Sequence, residues 1–541
     1  MSVVIPEDRF VVKAGSLDES LKLPDSQIVI LGQPSNLASL TYENLAPKFA
    51  NLVTKETFDT AMGQICSSKA SQSSFETMDQ SEKGAELATA NPYSASASTV
   101  SLYLNLAYVI GLPHRLSRLN ASSGSSAVAK SLRGLPLGSA PTAKHISIVL
   151  AGRYGQIVAL VSAVARAFPI CSLKSGEQTK EFSVSLEAWL TPVQSDQSAT
   201  SLSQADADWL TQLANSIRQA AMIVDMPPNI MHTDEFVAKA NLVAQRTNSA
   251  LEVIQGENLL SQGFGGIYHV GKASLHPPAF VKLSHTPPAA KETFALVGKG
   301  IVFDTGGMQI KGKTGMPGMK RDCGGAAAVL GAFEALVKAG FRENLHCLLC
   351  IAENMIGPAA NRPDDVITML SGKTVEINNT DAEGRLVLGD GVYYAGAVLR
   401  ASVIVDMATL TGAQRGATGD YHAALLTNSE SWENRVIGAG RSSGDLVHPL
   451  PYCPELHFPE LKSSIADMKN ALLSHASAAS AIAGLFIFAQ LNFDPNIAWI
   501  HVDLAHPVSV ADRATGFGVA LANVLFKDLC DIDVLRAADS V

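Results

Sequence analysis

The sequence predicts an α/β protein with two domains, a smaller amino-terminal one and a larger one built around a central, mainly parallel sheet covered by helices. Three observations lead to this prediction. The chain has 541 residues, whereas one domain usually has ~100 to 200. Strand-like and helix-like apolar runs alternate along the second half, which is typical of parallel strands joined by crossover helices. The polar segment 191–206 separates two more regular regions, and we place the linker between the domains there.

Residues 1–190 predict a small α/β domain in which short apolar runs alternate with polar, serine-rich segments. The longer, alanine-rich run 155–168 indicates a largely buried helix. Segments 67–98 and 120–143 are rich in Ser, Ala and Gly, so we expect long surface connections there rather than core. The strands predicted in this domain are 27–32, 145–151 and 182–189.

Residues 207–541 predict the larger domain. Its first helix, 207–224, ends before Met226-Pro227-Pro228 because proline stops a helix. The uncharged run 476–493 is too polar for a membrane-spanning helix, which needs ~20 mainly apolar residues, and indicates a buried helix. The strands predicted beyond residue 251 are 294–303, 345–352, 402–407 and 499–504, and the helices are 326–339, 386–399 and 432–440. Ligands bind such sheets at the carboxyl ends of the strands, so motifs that follow apolar runs are the candidates for a site.

The overall composition indicates a globular protein that does not bind nucleic acid. Apolar residues make up 47% of the chain and charged residues 17%, which is ordinary for a globular protein. The net charge of -9 argues against a nucleic-acid partner, because such binding depends on Lys and Arg facing phosphates. No basic segment followed by a long apolar one begins the chain, so we expect a cytoplasmic protein without a membrane partner. The seven cysteines are expected to be reduced thiols.

One segment, 378–388, is the most informative part of the chain for chemistry. It reads Asn-Asn-Thr-Asp-Ala-Glu-Gly-Arg-Leu-Val-Leu and carries Asp381, Glu383 and Arg385 at every second position. In an extended backbone these side chains would lie on the same side, so two carboxylates and a guanidinium would converge. Because Zn²⁺, Mn²⁺ and harder divalent ions accept carboxylate oxygens, the pair predicts half of a metal site.

Two further motifs supply carboxylates after or before apolar runs. Asp304 ends one predicted strand, ahead of a glycine pair, and Asp322 precedes the helix predicted from residue 326. Taken alone, Asp322 would more often be a helix cap and Asp304 a turn residue. Together with Asp381 and Glu383 they would repel strongly unless cations neutralise them, and two divalent ions ~3.5 to 4 Å apart are a common arrangement in hydrolases. No HExxH motif occurs, and we expect none of the thirteen histidines to bind metal.

These residues resemble the signature of the leucyl aminopeptidase family, the M17 cytosol aminopeptidases, over roughly residues 225–526. The matching positions are Lys299, Asp304, Lys311, Asp322 and the octapeptide Asn-Thr-Asp-Ala-Glu-Gly-Arg-Leu at 379–386. The resemblance implies a catalytic domain at 207–541 that binds two divalent ions, Zn²⁺ or Mn²⁺, with Mg²⁺ and Co²⁺ as alternatives. It implies one ion held by Lys299, Asp304, Asp322 and Glu383, and a second held by Asp304, Asp381 and Glu383. Two cations would lower the pKa of a lysine, which favours the neutral amine that a ligand must be.

The resemblance also implies a mechanism of metal-dependent peptide hydrolysis. A water activated by both ions attacks the first peptide bond, and Lys311 stabilises the oxygen that becomes negative. Arg385 holds a bicarbonate that accepts the water's proton, and the free α-amine of the peptide binds a metal. On spacing alone, Lys311 would be a solvated loop lysine and Arg385 a salt-bridged residue at a helix start.

The residue preference is expected to come from a small group of apolar and backbone contacts. Met319, Thr409, Leu410 and Gly412 resemble the substrate pocket of the family, which implies release of leucine-like residues. The chain departs from the family nearby, at 471–477 and at Ala505-His506-Pro507. The family further implies peptide substrates and a homohexamer. The alternative to an active enzyme is a catalytically inactive structural relative or a nucleic-acid-binding one.

Overall fold

The computed structural model describes residues 4–66, 96–170, 172–175, 182–192, 201–472 and 478–538. The contacts within the chain divide it into two units. One contains Met1–Arg218, Gly440–Gly444 and Ile532–Val541, and the other contains Gln219–Ala439 and Asp445–Asp531. Each unit combines strands with helices, which confirms the predicted α/β class. One long helix continues through residue 218, and the linker at 191–206 stays a prediction.

The first unit is built on a sheet of six strands in the described part of the chain. In spatial order they are β1-β6-β5-β2-β4-β3, and all neighbours are parallel except β3 and β4. The strands are β1 (Phe10–Lys13), β2 (Ser26–Gly32), β3 (Ser98–Tyr103), β4 (Ala107–Gly111), β5 (His145–Gly152) and β6 (Ser183–Leu190). The helices are α1 (Pro34–Leu37), α2 (Tyr42–Phe49), α3 (Lys55–Cys66), α4 (Val128–Arg133) and α5 (Ile157–Ala165). Side chains from β2, β5 and the helices α2 and α3 form its apolar core.

Most of the elements predicted for this region are confirmed, and one prediction is wrong. The three predicted strands correspond to β2, β5 and β6, and the predicted buried helix corresponds to a short 3₁₀ turn followed by α5. Segment 120–143, however, is not only a surface connection, because it contains α4 and buries Ala121, Ser123, Val128 and Leu132. Small side chains suit close packing as well as loops, so composition alone misassigned this segment. Most of segment 67–98 lies outside the described residues.

The second unit is built on a sheet of eight strands whose centre is parallel. The order among the described strands is β15-β14-β17-β13-β9-β10-β8-β7. Strands β17, β13, β9 and β10 are mutually parallel, whereas β14, β8 and β7 introduce antiparallel pairs toward the edges. The strands of this unit are β7 (Ala250–Gln255), β8 (Ala279–His285), β9 (Thr293–Asp304), β10 (Asn344–Asn354), β11 (Val366–Thr368), β12 (Thr374–Glu376), β13 (Val403–Ala408), β14 (Ala423–Thr427), β15 (Val447–Pro449), β16 (Met468–Lys469), β17 (Ala498–Asp503), β18 (Ser509–Val510) and β19 (Arg513–Ala514).

Helices precede, cover and follow this sheet. The long helix α6 (Gln204–Asp225) enters the unit, and α17 (Asp533–Arg536) belongs to the first unit. Between them lie α7 (Thr233–Thr247), α8 (Glu257–Ser261), α9 (Gly265–Gly271), α10 (Gly324–Lys338), α11 (Gly384–Tyr393), α12 (Ala413–Thr418), α13 (Glu430–Ser443), α14 (Pro454–His457), α15 (Ala479–Ala489) and α16 (Val519–Leu525). The buried helix predicted at 476–493 corresponds to α15. Across the described ranges, no helix combines the length and the apolar character that a membrane crossing requires.

Close packing of α10 on β9 fixes the edge of the sheet where polar side chains gather. A Cβ atom at Gly298 would lie 2.4 Å from the Cα of Ala326, so only glycine permits this approach. Apolar side chains of β9, β10, β13 and β17 form the core on which the helices lie. Since these four strands are parallel, their carboxyl ends meet at one edge, and they end at Asp304, Asn354, Ala408 and Asp503.

A buried ion pair between β13 and β17 makes stability depend on pH. His501 Nδ1 lies 2.5 Å from Asp406 Oδ1, and Trp499 Nε1 donates to Asp406 Oδ2 at 2.7 Å. Burial alone would lower the pKa of His501, and the positive charge of Arg385 lowers it slightly. The Asp406 carboxylate and, less strongly, Asp503 outweigh both effects and raise the pKa above 6.5. The folded protein therefore holds this proton more tightly than the unfolded chain, and the stabilisation is present below pH ~6.5 and lost as the pH rises through the folded pKa.

We expect His501→Gln to lower the free energy of unfolding by about 3 kcal/mol near pH 6, because it breaks a buried pair. The loss should shrink as the pH rises through the folded-state pKa of His501, because the wild-type imidazole then loses its proton too. Thermal unfolding of both proteins across this range measures the difference in Tm. His448→Gln, at an exposed histidine, is the matched control. A difference in Tm that does not change with pH would contradict the prediction.

Candidate metal centre

A pocket of about 1190 Å³ opens at the carboxyl edge of β9 and β13 in the second unit. The structure brings all eleven residues predicted for the site into its lining. They are Lys299, Asp304, Lys311, Met319, Asp322, Asp381, Glu383, Arg385, Thr409, Leu410 and Gly412. The chemistry expected of these residues can therefore occur in one place.

Local backbone structure presents these side chains from several separate segments. Lys299 lies within β9 and Asp304 ends it, while Asp322 lies in a short 3₁₀ helix, Met319–Cys323, that leads into α10. Thr409 and Leu410 follow β13 directly. Asp322 does not cap α10, since Cys323 holds that position without a side-chain hydrogen bond. The prediction of a strand end and a helix start around the site is therefore correct, and Asp322 precedes α10 without capping it.

The extended backbone predicted for 381–385 is wrong. Asp381 lies in a turn, Glu383 has helical dihedral angles (φ -76°, ψ -32°), and Arg385 is already within α11. The turn is held from the side, because Asn470 Nδ2 donates to the carbonyl oxygens of Asn379 and Ala382 at 2.6 and 3.2 Å. The apolar run that follows forms a helix that begins at Gly384. The two carboxylates therefore converge because a turn leads into this helix, and not because side chains alternate along a strand.

Three carboxylates form the centre of the site. Oxygens of Asp304, Asp381 and Glu383 all lie within 4.8 Å of one another. Asp304 and Glu383 are each only 3% exposed, so their negative charges have little water around them. Burial raises the pKa of Glu383, and the neighbouring Asp304 raises it further. Burial likewise raises the pKa of Asp381. Such a cluster is stable as carboxylates only with positive charge beside it.

Two lysines supply part of that charge. Lys299 Nζ lies 2.8 Å from Asp322 Oδ1 and 3.0 Å from Glu383 Oε1. Lys311 Nζ lies 2.7 Å from Asp304 Oδ2 and 2.5 Å from an oxygen of Asp381. Burial alone would lower the pKa of each lysine, but the carboxylates around it raise the pKa above its ordinary value. The ammonium groups thus stand where divalent cations would neutralise the same oxygens.

The remaining oxygen of Asp322 provides a test of whether a metal ion fits. Asp322 Oδ1 accepts a hydrogen bond from Thr409 Oγ1 at 2.8 Å, but Oδ2 is buried and no described residue donates to it. Burial raises the pKa of Asp322 well above the ordinary value. The positive charge of Lys299 opposes this rise, and the negative charges of Glu383 and Asp304 add to it. A buried acceptor without a partner is unfavourable by ~1 to 3 kcal/mol or more. A cation bound between Asp322 and its neighbours would satisfy this oxygen, so the residues fit a divalent ion.

Arg385 adds a guanidinium to the lining of the same pocket. Burial lowers its pKa to about 10, against the attraction of Glu383 and Asp503. Its Nε is buried and has no hydrogen-bond partner among the residues described. A guanidinium that faces the pocket with an unused donor is suited to a planar oxyanion, which can accept two parallel hydrogen bonds.

Sequence reasoning missed Asn354, which connects the ligands to one another. Its Nδ2 donates to Asp304 Oδ1 at 2.8 Å and to the carbonyl oxygen of Thr380 at 3.1 Å, and lies 3.5 Å from Glu383 Oε2. Asn354 ends β10 and, after a register shift that follows Ala352, lies opposite Asp304 at the end of β9. Its position after a predicted strand was the signal that could have identified it. We assign it to orienting the carboxylates.

The outer part of the pocket also contains residues that no motif indicated. Arg415 forms an ion pair with Asp420 at 2.8 Å, and His506 Nδ1 lies 3.1 Å from Gln414 Oε1. Ala471 and Leu472 line the pocket as well. They begin the segment 471–477, which departs from the family pattern, and residues 473–477 lie outside the described part of the chain. Both departures from the family pattern therefore reach the place where a substrate would bind.

Comparisons with known proteins agree with this geometry. The model of the cytosol aminopeptidase family, catalytic domain, matches residues 218–522. The probable aminopeptidase NPEPL1 of Homo sapiens is 46% identical over 521 residues, which cover 96% of this chain and 92% of that protein. The solved structure of Caenorhabditis elegans leucine aminopeptidase has a TM-score of 0.83 at 42% identity and covers 97% of this chain and 100% of that chain. Leucyl aminopeptidase from Trypanosoma brucei in complex with bestatin has a TM-score of 0.78 at 31% identity, with 98% and 96% covered.

Proposed function

Because the chain belongs to the M17 family of cytosol aminopeptidases, which are metal-dependent peptidases, we propose that it releases leucine-like residues from the amino ends of peptides. One observation carries the proposal: the carboxylates of Asp304, Asp381 and Glu383 converge in a pocket that Lys311 and Arg385 also line. A catalytically inactive relative is not favoured, because every predicted ligand and both polar catalysts are present there.

Two overlapping sets of side chains would hold the metal ions. Lys299, Asp304, Asp322 and Glu383 would hold one, and Asp304 and Glu383 would share the second with Asp381. The contacts of Lys299 with Asp322 and Glu383 support the first set, and the convergence of the three carboxylates supports the second. Zn²⁺ or Mn²⁺ suits these donors, with Mg²⁺ and Co²⁺ as alternatives. When bound, the ions would polarise the peptide carbonyl and lower the pKa of an attacking water.

Lys311 would stabilise the negative charge that develops on the carbonyl oxygen. The carboxylates around it raise its pKa in the metal-free protein, and its ammonium would present a positive charge to the substrate. Its side chain is 17% exposed, which places the ammonium in contact with the pocket and mostly out of bulk water. Fixed positive charge in such a place favours the transition state over the ground state.

Arg385 would hold a bicarbonate ion beside the centre. The Nε atom of the guanidinium is buried and lacks a partner among the described side chains and backbone, which supports an anion there. Bound bicarbonate would accept the proton that the attacking water releases. Charge-assisted, paired hydrogen bonds from Arg385 would fix its orientation.

The substrate would be recognised at its amino end and by an apolar pocket. A free α-amine can coordinate a divalent ion, whereas an internal peptide nitrogen cannot, and this restricts cleavage to the first bond. Met319 and Leu410 line the pocket with Gly412, which suits a branched aliphatic side chain. By analogy with relatives such as the probable cytosol aminopeptidase of Bacillus subtilis, 39% identical over 302 residues, we place the protein in the cytoplasm. The family resemblance favours a homohexamer.

We expect hydrolysis of leucyl amides and none of their N-acetylated forms, because acetylation removes the metal-binding amine. A panel of aminoacyl fluorogenic amides, assayed with apoprotein refilled with Zn²⁺, Mn²⁺, Mg²⁺ or Co²⁺, tests both the exopeptidase activity and the preference. The leucyl amide should exceed the aspartyl and glycyl amides in kcat/KM by ~10-fold or more, since burying several methylene groups is worth ~1 to 3 kcal/mol. Equal cleavage of the N-acetylated amides would exclude an aminopeptidase.

A further inference from the structure

A second group of metal-binding side chains lies in the second unit, apart from the pocket. His232 immediately precedes α7, Asp234 is in the first turn of α7, and His276 is in the loop between α9 and β8. One donor atom from each of these three residues lies within 4.8 Å of the other two. The three residues do not line the pocket, so we assign them no role in catalysis.

The two imidazoles are stacked, and one oxygen of Asp234 lies beside both of them. Their ring centroids are 3.7 Å apart, with an angle of 8° between the planes. Nδ1 of His276 lies 2.8 Å from Asp234 Oδ2, and Nδ1 of His232 lies 3.8 Å from the same oxygen. In a tetrahedral zinc site with bonds of about 2.0 to 2.1 Å, the donor atoms are about 3.3 Å apart. The two distances lie on either side of that value, and the rings would tilt out of the stack when an ion binds, because an imidazole nitrogen coordinates in the plane of its own ring.

His232 has an unused nitrogen directed at this place. Its Nδ1 is buried and no described residue forms a hydrogen bond with it. An imidazole nitrogen that is hidden from water and has no partner is unfavourable unless something binds it. A cation between His232, His276 and Asp234 would satisfy it, whereas a further hydrogen-bond donor from the protein is not present in the described structure.

Neighbouring groups hold the carboxylate in the required orientation. Gln255 Nε2 donates to Asp234 Oδ1 at 2.7 Å, which leaves Oδ2 facing the two rings. The His276 backbone N–H donates to Ser274 Oγ at 3.3 Å, and Pro277 and Pro278 restrict the loop just after it. Hydrogen bonds that orient ligands from behind are a regular feature of metal sites.

We propose that His232, Asp234 and His276 bind a divalent transition-metal ion, with Zn²⁺ as the first candidate. Two imidazole nitrogens and one carboxylate oxygen are a donor set that Zn²⁺ accepts, with a fourth position left for water or another ligand. The side chains are 26%, 47% and 33% exposed in that order, so an ion can enter from solvent. The ligands proposed for the carboxylate-rich pocket include no imidazole, and the two sites therefore differ in chemistry. The bound ion would tie the start of α7 to the loop before β8.

The test compares metal content between the wild-type protein and variants of this site. Each protein is equilibrated with Zn²⁺, separated from free ion, and analysed for zinc per chain. We expect His276→Asn and His232→Gln each to hold one zinc fewer than wild type, with kcat for leucyl amide unchanged. His448→Asn, at an exposed histidine, should hold as much as wild type. Equal zinc contents in wild type and both site variants would overturn the proposal.

A spectroscopic measurement separates this site from the catalytic one. Cu²⁺ bound to imidazole gives an electron spin echo modulation from the remote ring nitrogen, which carboxylate and lysine ligands do not give. We expect this signal in wild type and in Asp304→Ala, which removes a ligand of the pocket, and its loss in His276→Asn. Absence of the imidazole signal from the Asp304→Ala protein would contradict the site, even if the catalytic proposal holds.

Discussion

Replacing Lys311 by methionine is expected to lower kcat by about 10²- to 10³-fold, the effect of removing one group that stabilises an oxyanion. Methionine keeps the apolar stem and removes only the ammonium. With divalent ions neutralising Asp304 and Asp381 in the holoenzyme, the metal content should stay at the wild-type level. KM should change little, because the lost interaction forms mainly in the transition state.

Steady-state kinetics with leucyl amide and metal analysis of the same preparation measure both quantities. Lys313→Met is the matched control, because Lys313 lies two residues further along the same loop, is exposed and does not line the pocket. We expect its kcat to equal that of wild type. A Lys311→Met protein with full metal content and undiminished kcat would show that the oxyanion is stabilised by another group.

Much of the site was predictable because parallel strands end at one edge. Asp304 and Thr409 follow apolar runs that are long enough to be buried strands, and the carboxyl ends of such strands collect ligands. The octapeptide at 379–386 added the family resemblance, and with it Lys299, Lys311 and the pairing of ligands. All of these residues line one pocket. The sequence thus predicted which side chains meet, and their roles remain proposals.

The backbone that brings them together was not predictable to the same degree. Residues 381, 383 and 385 alternate in sequence, which suggests a strand, but the apolar run after them prefers a helix that begins at Gly384. Support from Asn470, some ninety residues later, stabilises the turn before that helix. Local periodicity contains no information on such a partner. The carboxylates therefore converge as predicted, but through a turn and a helix instead of an extended strand.

Long-range pairing also explains what the sequence did not reveal. Asn354 reaches Asp304 only because β10 pairs with β9, and the two residues are fifty positions apart in the chain. His232 and His276 meet only because the loop after α9 returns to the start of α7. The expectation that no histidine binds metal rested on the absence of a local motif, whereas the proposed histidine site is assembled from distant segments.

Asp322→Asn is expected to have the largest effect on activity. The substitution removes the negative charge of the side chain and keeps its shape, so it tests the contribution of the charge alone. The amide can still accept a hydrogen bond from Thr409 Oγ1, but it carries no negative charge and is a weaker metal ligand. Loss of one ion removes several kcal/mol of transition-state stabilisation, which corresponds to roughly 10²- to 10⁴-fold in kcat. We expect a loss in that range with about one zinc fewer per chain, measured after equilibration at a fixed free Zn²⁺ concentration.

The metal dependence of this variant identifies the cause of its lost activity. If Asp322 holds an ion, a higher free Zn²⁺ concentration should restore part of the zinc content and part of kcat together, because a weakened site fills by mass action. Asp208→Asn, at an exposed aspartate of α6, should match wild type in both quantities. Full zinc content in Asp322→Asn at every concentration, with low kcat, would mean that Asp322 acts through Lys299 and Thr409 alone. The buried, unpartnered Oδ2 argues against that outcome, since an aspartate used only for hydrogen bonding would not leave a charged oxygen without a partner.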